Sequence, residues 1–252
     1  MLIIGTIEAR MGSTRLPGKT LMDVYRGMTL LELIVNRFKL SRLVNEVYVA
    51  TTIKKADDPI AVWCDKNNVN CHRGSEDDVL DRVTGIAVKT GADAIVQMGA
   101  DSAYLDYELV DKMIGIYLSG DCDYVCNDLE LTYPLGIYAH VVTAARLIEL
   151  NRRTDLSEQD REDVVRYIFE HPDEYRLKNV IAPAELAFPH LRLTIDYPED
   201  LQLLREILDR LDGRGFTTSD IVALYRKEPA LFDKTKHLVQ ISAPFLKAAV
   251  HG

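Results

Sequence analysis

The segment Ala9-Arg10-Met11-Gly12-Ser13-Thr14-Arg15-Leu16-Pro17-Gly18-Lys19 gathers three cations, two small hydroxyl residues and two glycines into one connection. This set suits a polyphosphate. Glycine lets backbone N–H groups come close to oxygen, guanidinium forks bind phosphate bidentately, and lysine supplies a compact charge for a group in transfer. The spacing is not that of a Walker loop, because five residues separate Gly12 from Gly18 and one of them is Pro17. No GxGxxG dinucleotide fingerprint follows the first strand either. A solvated basic loop has the same composition. Its place directly after a buried strand favours a ligand, since open α/β sheets bind ligands at the carboxyl edge of their strands.

Such a loop needs a sheet to hold it. Apolar runs of strand length at 2–7, 47–50 and 94–98 alternate with segments of helical period at 30–40, 59–67, 79–90, 106–118, 198–211 and 218–226. The alternation predicts an α/β fold with a parallel sheet. Asp57-Asp58-Pro59 and Tyr197-Pro198-Glu199-Asp200 read as helix starts. Residues 123–142, with tyrosines and β-branched side chains around Pro134-Leu135-Gly136, and the runs 176–181 and 191–195 predict later strands that make the sheet mixed.

With 252 residues, 47% hydrophobic and 27% charged, the chain can bury a substantial core of its own. A net charge of -9 argues against a nucleic-acid partner, which needs a broad basic face. No run approaches membrane-spanning length and no basic stretch precedes the first apolar run, so the expectation is a cytoplasmic protein without a membrane partner. Cys64, Cys71, Cys122 and Cys126 contain no zinc-type CxxC pair and read as reduced core thiols.

Read as A-R-x-x-S-x-R-L-P-x-K, the first loop resembles the signature of the cytidylyltransferases that activate acidic sugars. Arg73-Gly74-Ser75-Glu76-Asp77-Asp78-Val79-Leu80-Asp81-Arg82 is similar to the spore-coat polysaccharide branch of the acylneuraminate cytidylyltransferases. Asp101 resembles the metal-bearing Asp of the family's Gly-Asp, and Leu193-Thr194-Ile195-Asp196-Tyr197-Pro198-Glu199-Asp200-Leu201 its late Asp-x-Pro-Glu-Asp-Leu element. Gly136-Ile137-Tyr138-Ala139-His140 looks like a segment of the KDO-type enzymes. The likeness covers about residues 1–210. It implies the nucleotide-diphospho-sugar transferase fold, a Rossmann-like three-layer sandwich with a predominantly parallel, mixed central sheet and a small acceptor and dimerisation lobe. It also implies a nucleotidyltransferase domain over 1–233, with a nucleotide half at about 1–122 and an acceptor half at about 123–233, a tail at 234–252, and a homodimer.

The resemblance further implies a magnesium-dependent transfer of CMP from CTP to a small anionic acceptor, a sugar acid of the KDO or nonulosonate type. A phosphorylated or phosphonate acceptor is the alternative. Ala9, Arg10, Gly12, Ser13, Arg15 and Lys19 would hold the triphosphate, with Arg10, Arg15 and Lys19 catalytic. Arg73, Gly74 and Ser75 would face the cytosine, and Asp101 and Asp196 would place Mg2+. Two carboxylates plus triphosphate oxygens give the sparse oxygen shell that magnesium takes while keeping waters. The cations would stabilise charge during in-line displacement. Tyr138, His140, Arg161, Arg166 and Arg192 are the acceptor-binding candidates.

Each has a plainer reading. Asp196 is also placed to cap the helix at Pro198, and Arg161 and Arg166, read on one helix, have Asp160, Glu162 and Asp163 as partners. The chain departs from the family at Glu8, where Gln is common, at Ala100 for Gly, and at Ser102-Ala103 for Cys-Pro. A carboxylate at Glu8 would repel phosphate or add a metal contact. Asp121-Cys122-Asp123 has the form of a glycosyltransferase DxD, but it precedes a strand and reads as a surface turn. The readings from other classes are a glycosyltransferase, which would consume a preformed nucleotide sugar, and a nucleotide-binding homologue without turnover.

Overall fold

A computed structural model describes residues 1–213 and 215–238. In chain order it runs β1 (Ile3–Glu8), β2 (Asp23–Tyr25), β3 (Met28–Thr29), α1 (Leu30–Phe38), β4 (Glu46–Thr52), α2 (Asp58–Lys66), β5 (Asn70–Gly74), α3 (Val79–Thr90), β6 (Ala94–Gly99) and α4 (Tyr107–Leu118). It continues through β7 (Tyr124–Cys126), β8 (His140–Thr143), α5 (Ala144–Asn151), α6 (Glu158–Glu162), α7 (Arg166–Glu170), β9 (Leu177–Asn179), α8 (Pro198–Arg210), α9 (Thr218–Lys227) and α10 (Pro229–Phe232).

Seven strands form one sheet in the order β5-β4-β1-β6-β8-β7-β9. The first four are parallel, β8 runs antiparallel to both β6 and β7, and β9 is parallel to β7. The expected mixed sheet is therefore present, and it is continuous through both expected halves. Alternation along the strands builds three layers. Ile3, Ile7, Val49, Val96 and Met98 pack on one face with α1, α2, α4, α8 and α9, while Ile4, Tyr48, Ala50 and Ile95 pack on the other with α3, α5 and α7.

The chain leaves β1 toward β4 on one side and later enters β6 on the other. The connections after β1 and β6 thus diverge and open a crevice at their carboxyl ends, the ligand position of a doubly wound sheet. The first loop and Asp101 both emerge there.

Two expectations change. The run 191–195 is not a strand: it meets the rest only through a parallel bridge between Leu135 and Arg192, with Leu135 N donating to Leu191 O at 2.9 Å and Leu193 N to Leu135 O at 2.7 Å. The bridge demands a glycine nearby. Gly136 has φ +101°, and a Cβ there would lie 2.0 Å from Leu193 O. Asp123 is no surface turn but is buried, with Oδ2 accepting from Arg176 N at 3.1 Å and Nε at 3.0 Å. It anchors the start of β7 to the start of β9, a contact between segments too distant in sequence for local pattern to reveal. Of the expected tail, Lys234 pairs with Glu206 of α8, and residues 239–252 lie outside the described residues.

Candidate active site

The loop after β1 is held from beneath. Ala9 N continues the sheet to Ala50 O at 3.0 Å, Leu16 and Thr20 are buried, and Thr20 Oγ1 donates to Arg10 O at 2.9 Å. Asp57, buried at the end of β4, accepts Met11 N at 2.6 Å and the Thr52 hydroxyl. Gly18, at φ +75°, closes the loop by donating to Met11 O at 3.0 Å. With those ends fixed, the N–H groups of Gly12, Thr14 and Arg15 make no hydrogen bond among the described residues. They form a concave row of donors, the arrangement that binds phosphate oxygens.

Around this row lies a cavity of about 290 Å³ whose lining includes Arg10, Arg15, Lys19, Asp101 and Asp196. Lys19 joins the two carboxylates: its Nζ is 3.3 Å from Asp101 Oδ2, 3.6 Å from Asp196 Oδ1 and donates to Ile195 O at 2.5 Å. Residues 82 and 176 positions away thus meet one ammonium. Arg15 Nη2 donates to Asp196 Oδ1 at 2.6 Å. Burial alone would raise the Asp196 pKa, but the Arg15 hydrogen bond and the charges of Lys19, Arg15 and Arg192 outweigh it and hold the carboxyl below its ordinary value.

Asp196 does not cap α8. That task belongs to Asp200, whose Oδ2 accepts the N–H groups of Asp196 and Tyr197, each at 2.9 Å, while its Oδ1 pairs with Arg192. The Asp196 carboxylate is left facing the cavity. Gly99 does the same for Asp101, because a Cβ at Gly99 would sit 2.7 Å from Asp101 Oδ1. Among the described residues no three His, Cys, Asp or Glu side chains group to hold a cation by themselves. Two carboxylates completed by triphosphate oxygens and water satisfy a hard cation such as magnesium, so the donor set fits a metal that arrives with the nucleotide.

Glu8 borders the same cavity, yet it is not an anion at neutral pH. Burial lifts its pKa from 4.5 to about 8, against the opposing hydrogen bond from Gln97 and the charge of Arg82. As a neutral acid it adds no third anion to Asp101 and Asp196 beside the loop's cations. Gln97 Nε2 donates to Glu8 Oε2 at 2.6 Å, Gln97 Oε1 meets His140 Nδ1 at 2.9 Å, and His140 Nε2 meets Asp128 Oδ2 at 2.9 Å. Burial draws the His140 pKa down, but Asp128 more than reverses this and leaves it above its ordinary value.

Residues 4–238 match the cytidylyltransferase family model. The chain is 34% identical over 232 residues to the spore coat polysaccharide biosynthesis protein SpsF of Bacillus subtilis, covering 90% of this chain and 95% of that protein. The chain belongs to the cytidylyltransferase family. It is a CTP-dependent nucleotidyltransferase. A cytidylyltransferase of Leptospira borgpetersenii has a solved structure that superposes with a TM-score of 0.86 at 27% identity, covering 96% of this chain and all of that one. The 3-deoxy-manno-octulosonate cytidylyltransferase of Bdellovibrio bacteriovorus is 24% identical over 253 residues, covering 99% of this chain and 88% of that protein.

Other residues of this cytidylyltransferase fall into three groups. Arg10 lies by the loop, half-exposed and 3.9 Å from Glu162. Ser13 Oγ accepts Leu16 N at 3.3 Å and stabilises the loop's turn. Arg73 is engaged within the fold: its Nε donates to Thr52 O at 2.8 Å and its Nη2 to Asp58 Oδ1 at 2.7 Å, tying β5 to the β4–α2 connection.

Of the acceptor candidates, Tyr138 has its hydroxyl pKa pushed up by the charge of Asp101 and then by burial. His140 stacks behind it at 5.8 Å and is engaged on both nitrogens. Arg161 binds Asn151 Oδ1 at 2.6 Å and Arg153 O at 2.8 Å. Arg166 pairs with Glu170 at 3.0 Å on a separate short helix, and Arg192 with Asp200 and Asp196. Their charges are taken up within the fold. Sequence reading passed over Asp57, Asp200, Gln97 and Arg82. Asp200 had a local signal, three residues after the cap position of α8.

Proposed function

We propose that the protein transfers CMP from CTP to a sugar acid of the 3-deoxyoctulosonate or nonulosonate type, releasing pyrophosphate, with magnesium as the working ion. The observation that carries this reading is Lys19 held between Asp101 and Asp196 beneath an open row of loop N–H groups. The ammonium stands where a cation and phosphate oxygens would compete for the same carboxylates. Three cations, Arg10, Arg15 and Lys19, outnumber two carboxylates, so the pocket keeps a positive excess for the tetraanionic triphosphate.

When CTP enters, the N–H row and Arg10 take non-bridging phosphate oxygens, and Lys19 exchanges its carboxylate partners for phosphate. Asp101 and Asp196, freed of the lysine, would hold the ion together with the nucleotide. That ion would polarise the α-phosphate and neutralise the departing pyrophosphate. Arg15 keeps Asp196 oriented and shares the growing charge. The acceptor hydroxyl attacks the α-phosphorus in line, the bond to pyrophosphate breaks, and no covalent enzyme intermediate is needed.

The relatives that act in spore-coat polysaccharide synthesis or on 3-deoxy-manno-octulosonate support the sugar-acid class. A cytoplasmic homodimer accords with this role, and no helix among the described residues is long and apolar enough to cross a membrane. The test is pyrophosphate release from CTP and magnesium over a panel of sugar acids, sugar phosphates and phosphonates. The reading requires turnover with a sugar acid; turnover confined to the phosphorylated or phosphonate acceptors refutes the acceptor class, and CTP binding without any turnover refutes the enzyme reading of the site.

A further inference from the structure

Arg82 sits in the first turn of α3, almost fully buried, and among the described residues its Nε and Nη1 have no hydrogen-bond partner; nor has Glu8 Oε1. Buried guanidinium N–H groups in folded proteins are nearly always paired, and leaving one unpaired costs about 1–3 kcal/mol. No ion pair or hydrogen bond joins Arg82 to Glu8 among the described residues. The pair is held open from both sides. The Arg82 stem lies against Gly74, where a Cβ would come within 2.6 Å of Arg82 Cγ, so the arginine cannot retreat under β5. Glu8 Oε2 is fixed by Gln97, itself fixed by His140 and Asp128, and this determines which oxygen stays free.

We propose that Glu8 and Arg82 form the acceptor clamp, Arg82 taking the acceptor's carboxylate and Glu8 Oε1 a neighbouring hydroxyl. The proposal rests on the sugar-acid reading above. It follows from what the other cations are doing. Arg161, Arg166 and Arg192 are engaged within the fold, and Arg10, Arg15 and Lys19 belong to the triphosphate. Arg82 keeps two buried donors without a partner among the described residues, and Glu8, which does line the cavity, has an oxygen in the same condition. A group carrying an anion and a hydroxyl on adjacent carbons satisfies both at once; a phosphate ester would satisfy Arg82 and leave Glu8 as before.

The test compares 3-deoxy-manno-octulosonate with its C1 amide as acceptors, for the wild-type protein, Arg82→Met and Arg82→Lys, alongside CTP affinity and thermal stability. For the wild type the acid should exceed the amide by roughly 100-fold in kcat/KM, the discrimination of a site built around one charged partner. Arg82→Met should bring that ratio to within about threefold of unity with CTP affinity unchanged, and Arg82→Lys should restore part of it, because it keeps the charge without the fork. A purely structural role lowers acid and amide together and leaves the ratio intact, which overturns the proposal; so does a loss of CTP affinity with the ratio preserved. Should Arg82→Met not fold, an unaltered ratio in Arg82→Lys decides against it. No turnover of the acid or of any panel acid by the wild type removes the sugar-acid reading and this clamp together, whereas turnover with an unchanged ratio removes the clamp alone.

Discussion

Replacing Glu8 by glutamine should stabilise the protein strongly at pH 8 and by only about 1 kcal/mol at pH 5. In the unfolded chain the Glu8 carboxyl loses its proton near 4.5, whereas in the fold it holds it to about 8. Between those values the unfolded state sheds a proton that the native state retains, so stability falls as pH rises. The slope is about 1.4 kcal/mol per pH unit, which gives about 4 kcal/mol by pH 8 as an upper figure. The introduced amide cannot ionise, yet its carbonyl can accept the hydrogen bond from Gln97. A chain of 252 residues changes its Tm by about 2–4 °C per kcal/mol, so the variant should melt about 10 °C above wild type at pH 8. Calorimetric melting at pH 5, 6.5 and 8 measures the gap directly. Activity should follow, with the wild type losing CTP affinity above pH 8 as Glu8 becomes an anion beside the phosphates and the variant holding it. Parallel melting curves across that range would show that Glu8 ionises normally in the fold, and the electrostatic account of the cavity would be wrong.

Asp200→Ala should lower stability by about 3 kcal/mol or more, because it leaves Arg192 short of its buried partner and strips two N–H groups of their acceptor; urea denaturation would measure it. The same change should depress kcat by releasing Asp196 from its place. Asp123, held down at about 2 chiefly by the hydrogen bond from Arg176, stabilises the fold above the ordinary carboxylate range, and that contribution is lost as pH falls from about 4 through 2. Since Arg176 is largely exposed, about 1–2 kcal/mol is expected, read as the shrinking stability difference between wild type and Asp123→Asn from pH 5 to pH 2.

Most of the sheet was legible because its inner strands are buried on both faces and its helices carry a regular apolar stripe. Residues 191–195 misled for a physical reason: their alternation of apolar and polar side chains is that of a strand, but Gly136 allows only one close backbone approach before the chain turns toward Asp196. The phosphate loop was legible because its chemistry is concentrated in one stretch of sequence. The acceptor side was not, because a cation's availability depends on partners far along the chain: Arg161 is consumed by Asn151 and Arg153, and Arg166 by Glu170. Asp57 escaped for the converse reason: the local pattern marks it as a helix start, while its hydrogen bond to Met11 spans 46 positions.

The central claim is that Lys19 and the arginines share one locus with Asp101 and Asp196, where carboxylates oppose naked triphosphate and favour the metal complex. Calorimetric titration of CTP into wild type and Asp101→Asn, with and without magnesium, tests it most directly. Removing a like charge at this range should strengthen metal-free CTP binding by about tenfold while shrinking the gain that magnesium brings. Weaker metal-free binding in the variant, or an undiminished magnesium effect, would contradict the account.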